Sequence, residues 1–215
     1  MNCGVALLAA GESRRMGQPK LLLPWGATSI LDHQLRLWRR LNTHQTAVVC
    51  AQGNPDLRVE LDRVHFPADQ RIVNPQPQAG MFSSIRCAAQ WKGWSAALTH
   101  WVITLGDQPH LKQATLQTLL NFSATHPDKV CQPRRLARRH HPVILPRNFF
   151  EQLPSTPART LRDFLNGISG DVEGCELEDP GLGFDIDTPA DYERARSEFL
   201  GDPDSGDEMS APPAL

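Results

Sequence analysis

The stretch from Leu8 to Lys20 reads Leu-Ala-Ala-Gly-Glu-Ser-Arg-Arg-Met-Gly-Gln-Pro-Lys and follows directly on an apolar run, Val5 to Leu8. Small residues, a hydroxyl at Ser13, two arginines and a lysine behind a short apolar run describe a buried strand opening onto a loop suited to anionic phosphate. Gly11 and Gly17 allow positive φ and close backbone approach, so main-chain N–H groups can point at phosphate oxygens. Arg15 and Lys20 add mobile positive charge. An ordinary surface loop with solvated arginines is the alternative. The glycine spacing fits neither the Gly-x-Gly-x-x-Gly dinucleotide fingerprint nor the phosphate loop that ends Gly-Lys-Ser/Thr.

A second chemical feature is an acid at the end of a strand. His100 to Leu105 is the most strand-like run in the chain and stops at Gly106-Asp107-Gln108-Pro109. Ligands bind at the carboxyl edge of open α/β sheets, so Asp107 is expected on the same rim as the Leu8–Lys20 loop. Its plainer reading is a helix cap. Three further clusters have equally plain alternatives. Asn74-Pro75 with Gln78 to Ser84 reads as a glycine-started helix. Arg134 to Arg139 with His140 and His141 reads as a solvated basic run. Asp185-Ile186-Asp187-Thr188-Pro189 reads as the cap of a last helix.

The elements that must position these residues follow from length and periodicity. A chain of 215 residues is the size of one large α/β domain. A net charge of −2 and a pI near 6.4 argue against a nucleic-acid or membrane-surface partner. No apolar run reaches membrane-spanning length, and only three leucines follow the Ser-Arg-Arg run, so it is no export signal. Five scattered cysteines without Cys-x-x-Cys pairs fit a reduced cytoplasm and no structural zinc.

Strands are expected at Val5 to Leu8, Thr46 to Ala51, Arg71 to Asn74, His100 to Leu105, Lys129 to Gln132 and Val143 to Leu145. Helices are expected from a Thr28 cap through Leu41, over Asp56 to Val64, Gly80 to Trp91, Leu111 to Ala124, Ala158 to Leu165 and Pro189 to Leu200. This alternation predicts a three-layer α/β/α sandwich. Residues 1–200 are expected to form one domain. Gly201 to Leu215, rich in Asp, Glu, Ser, Gly, Pro and Ala, is expected to be a disordered acidic, proline-rich tail.

The opening motif closely resembles the Leu-Ala-Ala-Gly-x-Ser-x-Arg-Met-Gly-x-x-Lys start of the molybdenum cofactor nucleotidyltransferases, especially the cytidylyltransferases. Four later segments match in order: Asn74 with Gly80-Met81-Phe82-Ser83-Ser84, the Asp107 turn, His141-Pro142-Val143, and Asp185-Ile186-Asp187-Thr188-Pro189. The resemblance covers about Val5 to Leu200. It implies a nucleotide-diphospho-sugar transferase, Rossmann-like fold with a mixed, mainly parallel sheet. It implies nucleotide binding by Leu8, Ala9, Ala10, Gly11, Ser13 and Gly17, joined by Asn74, Gly80, Met81 and Ser84. Arg138, Arg139, His141 and Arg159 fall on the acceptor side, and Arg15, Lys20 and Asp107 are the catalytic candidates. Asp107 and Asp187 are the implied Mg2+ ligands, with Asp185 in reserve. His140 stands where the family often has glycine, and the acidic tail is not part of the pattern.

The resemblance implies a cytoplasmic enzyme that joins CMP from CTP to a molybdopterin-type acceptor and releases pyrophosphate. The acceptor phosphate is already ionised near neutrality, so positioning and charge neutralisation carry the reaction without a general base. Ala10, where guanylyl-transferring relatives tend to have glycine, favours the smaller cytosine. Two alternatives stay open: a nucleotidyltransferase for a sugar phosphate or other small phosphate, and a non-catalytic carrier that passes the cofactor to an apo-molybdoenzyme.

Overall fold

The structure, a computed structural model, describes residues 1–200; the expected tail lies outside the described residues. The chain opens with β1 (Cys3–Ala9), all seven residues buried. A short ribbon of β2 (Pro24–Trp25) and β3 (Thr28–Ser29) then leads into α1 (Ile30–Arg40). There follow β4 (Gln45–Ala51), α2 (Pro55–Arg63), β5 (Arg71–Asn74), α3 (Met81–Gln90) and β6 (His100–Leu105). The second half adds α4 (Gln113–Thr125), β7 (Val130–Arg135), β8 (Arg138–Arg139), β9 (Val143–Pro146) and α5 (Arg147–Phe150). It ends with α6 (Leu161–Gly167), β10 (Val172–Glu176) and α7 (Pro189–Phe199).

Eight strands form one sheet in the order β10-β7-β9-β6-β1-β4-β5, with β8 beside β7. β1 pairs parallel with β4 and β6, β4 with β5, and β7 with β10. β9 runs antiparallel to both β6 and β7, which makes the sheet mixed. The mixed, mainly parallel sheet is the one the resemblance implied. Alternate residues of each strand feed two faces. Ala6, Leu8, Trp101 and Ile103 pack with Phe82, Ile85, Phe164 and Leu165 of α3 and α6. Val5, Leu7 and Val102 pack toward α1, α2 and α4. Helices on both faces give the three layers expected.

Several boundaries differ from the sequence expectation for local physical reasons. Thr28 pairs with Trp25 in the ribbon, so Ser29 takes over as cap of α1, its Oγ accepting from the Asp32 N–H at 3.1 Å. The expected Ala158–Leu165 helix starts only at Leu161, because Thr160 and Asp163 form a capping box there. The Leu111 helix starts at Gln113, behind Lys112. Asp107 therefore caps no helix.

Strand β10, Val-Glu-Gly-Cys-Glu, was not expected at all. Its charged and glycine positions give no apolar run, yet as an edge strand it needs only one neighbour. Gly174 makes room for the Arg134 side chain: a Cβ would fall 1.9 Å from its Cδ, and the arginine would have to move aside.

Candidate active site

The parallel strands, and the reversed β9, bring the carboxyl ends of β1, β4, β6 and β7 to the same rim as His141 and Pro142. Gly106 locks the centre of that rim. Its N–H donates to the Leu8 carbonyl at 3.0 Å, and a Cβ there would meet that same oxygen at 3.0 Å and the Leu21 side chain at 3.2 Å. Asp107 is thereby held against the loop that follows β1.

The loop is shaped by two left-handed residues, Ser13 (φ 51°) and Gly17 (φ 71°), which flank a single tight turn, Arg14–Met16. Ser13 Oγ accepts from the Lys20 N–H at 3.1 Å. Met16 is buried with Trp25, Ile186 and Tyr192, so the loop is tied by its apolar residue to the C-terminal segment. That anchoring leaves Arg15 facing Asp187, with a guanidinium nitrogen 2.9 Å from Asp187 Oδ2.

Lys20 is only 9 % exposed. Its ammonium donates to Asp107 Oδ2 at 2.7 Å, to the Ile186 carbonyl at 2.5 Å and to Asp187 Oδ1 at 3.4 Å. The sequence stretches holding Arg15, Lys20, Asp107 and Asp187 thus meet in one ion cluster. Thr188, not Asp187, caps α7, in a box with Asp191, whose carboxyl is held below its ordinary value by the Thr188 hydroxyl. Asp187 is left available to the cluster. Two carboxylate oxygens and a main-chain carbonyl converging on one point are hard oxygen donors, and such a set fits a divalent cation that keeps waters and takes phosphate oxygens. Among the described residues no group of three or more His, Cys, Asp or Glu gathers to hold a metal by itself.

Beside this cluster lies a cleft of about 590 Å³, bounded by Ala9, Gly11, Ser13, Gly17 and Lys20 on one side and by Ala51 to Leu57 on the other. The second wall was missed in the sequence. Gln52, Gly53 and Asn54 form the turn between β4 and α2, where Asn54 Oδ1 accepts from the Leu57 N–H at 3.0 Å. The Gln-Gly-Asn-Pro run after a buried strand was the available signal. Leu8 and Ala10 are buried behind the loop.

The other expected nucleotide-side residues divide into two kinds. Asn74 and Ser84 are buried and bonded to each other at 2.9 Å, with Ser83 Oγ also accepting from Asn74 at 2.8 Å; they join β5 to α3. Gly80 (φ 89°) and Met81, 45 % exposed, form the outward start of α3.

Of the residues expected on the acceptor side, Arg138 and Arg139 are exposed on β8, opposite Arg135 and Arg134. Their hairpin turns through Leu136 (φ 50°) and Ala137 (φ 62°). His141 precedes a cis Pro142, and its Nδ1 lies 3.4 Å from the Ile103 carbonyl at the end of β6. Loss of hydration holds this imidazole below the usual histidine range, although the carboxylates of Asp107 and Asp185 pull it upward. His141 thus follows the basic hairpin in the chain and feels the charge of Asp107, but its bond is to β6. Arg159 stands exposed just ahead of α6. Arg86, unnoticed in the sequence, steadies that segment by donating to the Thr156 and Ala158 carbonyls at 2.6 and 3.1 Å. All five cysteines are free thiols. Burial pushes Cys3 up to about 12 and Cys50 and Cys131 to about 11, so none of these three is a thiolate near neutrality.

Comparison with known proteins agrees with this geometry. Escherichia coli molybdenum cofactor cytidylyltransferase is 28% identical over 196 residues, 90% of this chain and 95% of that one. A molybdenum cofactor guanylyltransferase of Pseudomonas aeruginosa is 31% identical over 127 residues, 58% of each chain. Among solved structures, a nucleotidyl transferase from Methanothermobacter thermautotroptrophicus superposes with a TM-score of 0.75 at 20% identity, covering 93% of this chain and 98% of that one. The model of the MobA-like NTP transferase domain matches residues 5–172. The resemblance drawn from the Leu8–Lys20 motif is borne out: the chain belongs to the MobA-like NTP transferase family and is a nucleotidyltransferase.

Proposed function

We propose that the enzyme transfers CMP from CTP to the terminal phosphate of a molybdopterin-type acceptor, with release of pyrophosphate. The observation that carries this reading is the ion cluster itself: Lys20 and Arg15 meet Asp107 and Asp187 beside a cleft at the carboxyl rim of the sheet. Arg15 and Lys20 are placed to take the charge of the departing pyrophosphate. Asp107 and Asp187 would hold a Mg2+ ion, which when bound neutralises phosphate charge. Asp185, exposed and on the far side of Ile186, remains the reserve for the second position.

Main-chain N–H groups of the Gly11–Gly17 loop orient the triphosphate, and buried Ala10 narrows the floor under the base, which suits cytosine. The acceptor phosphate approaches from the side of His141, Arg138, Arg139 and Arg159. It is already ionised and attacks the α-phosphorus without a general base; the protein's part is alignment and charge. No helix among the described residues is long and apolar enough to cross a membrane, and the proposed site of action is the cytoplasm. A pyrophosphate-release assay with each of the four nucleoside triphosphates, against molybdopterin and a panel of sugar phosphates, tests the reading. CTP with molybdopterin should be the productive pair. Turnover with a sugar phosphate alone would transfer the acceptor, and no release with any pair would leave only the carrier.

A further inference from the structure

The loops that carry Asp107 and Asp187 are not joined by the sheet. Asp107 comes after β6 and Asp187 after β10, and β7 and β9 lie between those two strands, so no ladder hydrogen bond sets the separation of the loops. Two buried side chains join them instead. Asp179, 7 % exposed, accepts from the Gly181 N–H through Oδ1 at 2.8 Å. Its Oδ2 accepts from the Thr115 hydroxyl at 2.6 Å and from the Lys112 N–H at 3.3 Å. The turn that precedes Asp187 is thereby tied to the start of α4, which follows Asp107. His110, 4 % exposed, makes the return tie, with Nε2 lying 3.1 Å from the Gly181 carbonyl. A carbonyl can only accept, so this nitrogen carries the proton. The imidazole packs against Phe184 and Phe199 at centroid distances of 5.3 and 5.2 Å. Gly181 fits closely between the two, because a Cβ there would stand 3.0 Å from both Asp179 Oδ1 and His110 Cδ2. Phe184 and the fully buried Ile186 carry the restraint along the short stretch to Asp187.

We propose that Asp179 and His110 are positioning residues, which hold the Asp187 loop in register with the Asp107 loop so that the two carboxylates present one divalent-cation site. The proposal rests on the reading above, in which that pair holds Mg2+. Such an ion demands near-ideal placement of its oxygens, so a shift of one loop counts against binding even when both carboxylates are intact. Asp179 suits the task because an ionised carboxylate is acceptor on both oxygens, and its donors come from both loops. An amide has a single acceptor oxygen and cannot serve the Gly181 and Lys112 N–H groups at once. Asp179→Asn therefore parts the loops without emptying the space between them.

The probe is Mn2+, its bound fraction read by electron paramagnetic resonance as it is titrated into the full chain holding the α,β-methylene analogue of CTP, which cannot be turned over. Asp179→Asn should weaken Mn2+ binding by about tenfold, the low end for loss of an outer support of a metal site. Thr115→Val removes one donor only and should act in the same direction by less; it keeps the test decisive if Asp179→Asn does not fold. His110→Phe should weaken the ion as well, and His110→Gln, whose amide N–H can stand where Nε2 stands, should restore most of the affinity. Asp179→Asn is then combined with Asp187→Asn. If Asp179 acts through Asp187, its effect on Mn2+ disappears in the double variant, whereas the losses of unfolding free energy measured in urea still add. An Mn2+ affinity unmoved by every folded variant of Asp179, Thr115 and His110, or a loss that persists in full beside Asp187→Asn, would overturn the proposal and leave the enzymatic reading standing. Mn2+ binding that is absent from the unaltered chain, or unmoved by Asp187→Asn alone, would remove the metal pair and the proposal together.

Discussion

The two sides of the rim are built in opposite ways. Around β1, β4 and β6 the charged groups are paired internally: Lys20, only 11% exposed in its side chain, sits between two carboxylates, and Arg15 completes the set. Around β7 and β8, Arg138 and Arg139 face solvent, on a hairpin whose turn is made by two non-glycine residues in the left-handed region. Such residues cost about 1 kcal/mol or more each and persist only when the surroundings fix them. In the proposed reading, one side keeps its binding groups in an ion cluster, and the other displays them on an exposed hairpin. The difference suits two substrates of unequal demands. A triphosphate must be gripped where charge develops, whereas an acceptor phosphate needs only to be guided into line.

If that contrast is right, the largest losses come from the paired side. Lys20→Met and Asp107→Asn should each lower kcat by about 100-fold or more, the size of a contact made chiefly in the transition state. Both variants are read by steady-state kinetics on protein shown to melt normally. Asp187→Asn should follow them, and Asp185→Asn should not; the reverse result would move the second carboxylate to Asp185. Turnover that persists in chelator would break the contrast at its root.

Reversing charge on the hairpin should act differently in kind. Arg138→Glu with Arg139→Glu should raise the acceptor KM by about tenfold, the worth of one charge-assisted contact, and leave the nucleotide KM near its starting value. A change confined to the nucleotide KM would show that the two sides have been assigned in reverse. Arg15, the arginine of the ion cluster, is open to solvent and offers a bridge between the two behaviours. Arg15→Ala should cost less than Lys20→Met, because water screens an exposed cation.

The same contrast decides what could be read from the sequence. The paired side was legible because phosphate chemistry imposes residue types at fixed spacing: Gly11, Arg15, Gly17 and Lys20 lie on one loop, and Asp107 follows the most strand-like run in the sequence. Even there the pairing was not legible. That Lys20 would turn inward onto Asp107 depends on Gly106 closing against Leu8, a contact between positions nearly a hundred residues apart. The core of α1 was equally plain, since Ile30, Leu31, Leu35, Leu37, Trp38 and Leu41 are all buried as their spacing required. The acceptor side was read mainly as a run of charge. β10 escaped notice because an edge strand with Gly174 and two glutamates has no apolar signature. The β8 hairpin escaped because Leu-Ala is an unusual pair for such a turn, where Asn-Gly would have announced it. The far wall of the cleft, Gln52 to Asn54, is marked in the sequence only as a turn, Gln-Gly-Asn-Pro, and its part in the cleft is recognised only once β4 is placed beside β1.

A smaller effect concerns the base. Ala10 is 7 % exposed at the end of β1. Ala10→Gly should lower the preference for CTP over GTP by about fivefold, the low end of what one methyl in a pocket is worth. Competition of the two triphosphates in one assay measures the ratio directly. Equal or better use of GTP by the unaltered enzyme would defeat the cytidylyl assignment and leave the two-sided architecture untouched.

The smallest effect is on stability, and it separates the two sides by pH. His100, His110, His140 and His141 all have imidazoles lowered below the ordinary 6.5, chiefly by loss of hydration. His100 begins β6, His110 lies in the turn after it, and His140 and His141 lead into β9. In the folded protein these rings stay neutral where an unfolded chain would take up a proton, so the unfolded state binds more protons as pH falls through the mid-6s. Stability should therefore decline from pH 7.5 to 5.5 and level off once the folded rings also titrate. The depressed carboxyls of Glu60 and Asp191 lose their contribution only as pH falls through and below their ordinary values of 4.5 and 3.8, so they do not enter between pH 7.5 and 5.5. Urea midpoints at the two pH values give the measurement. His100→Asn, at the end of β6 remote from the ion cluster, should flatten the dependence while leaving turnover intact. His141→Asn should flatten it and raise the acceptor KM as well. A steeper decline in either variant would mean that the ring is charged in the folded protein, and the acceptor side would then hold its histidines as ion-pair partners, as the nucleotide side holds Lys20.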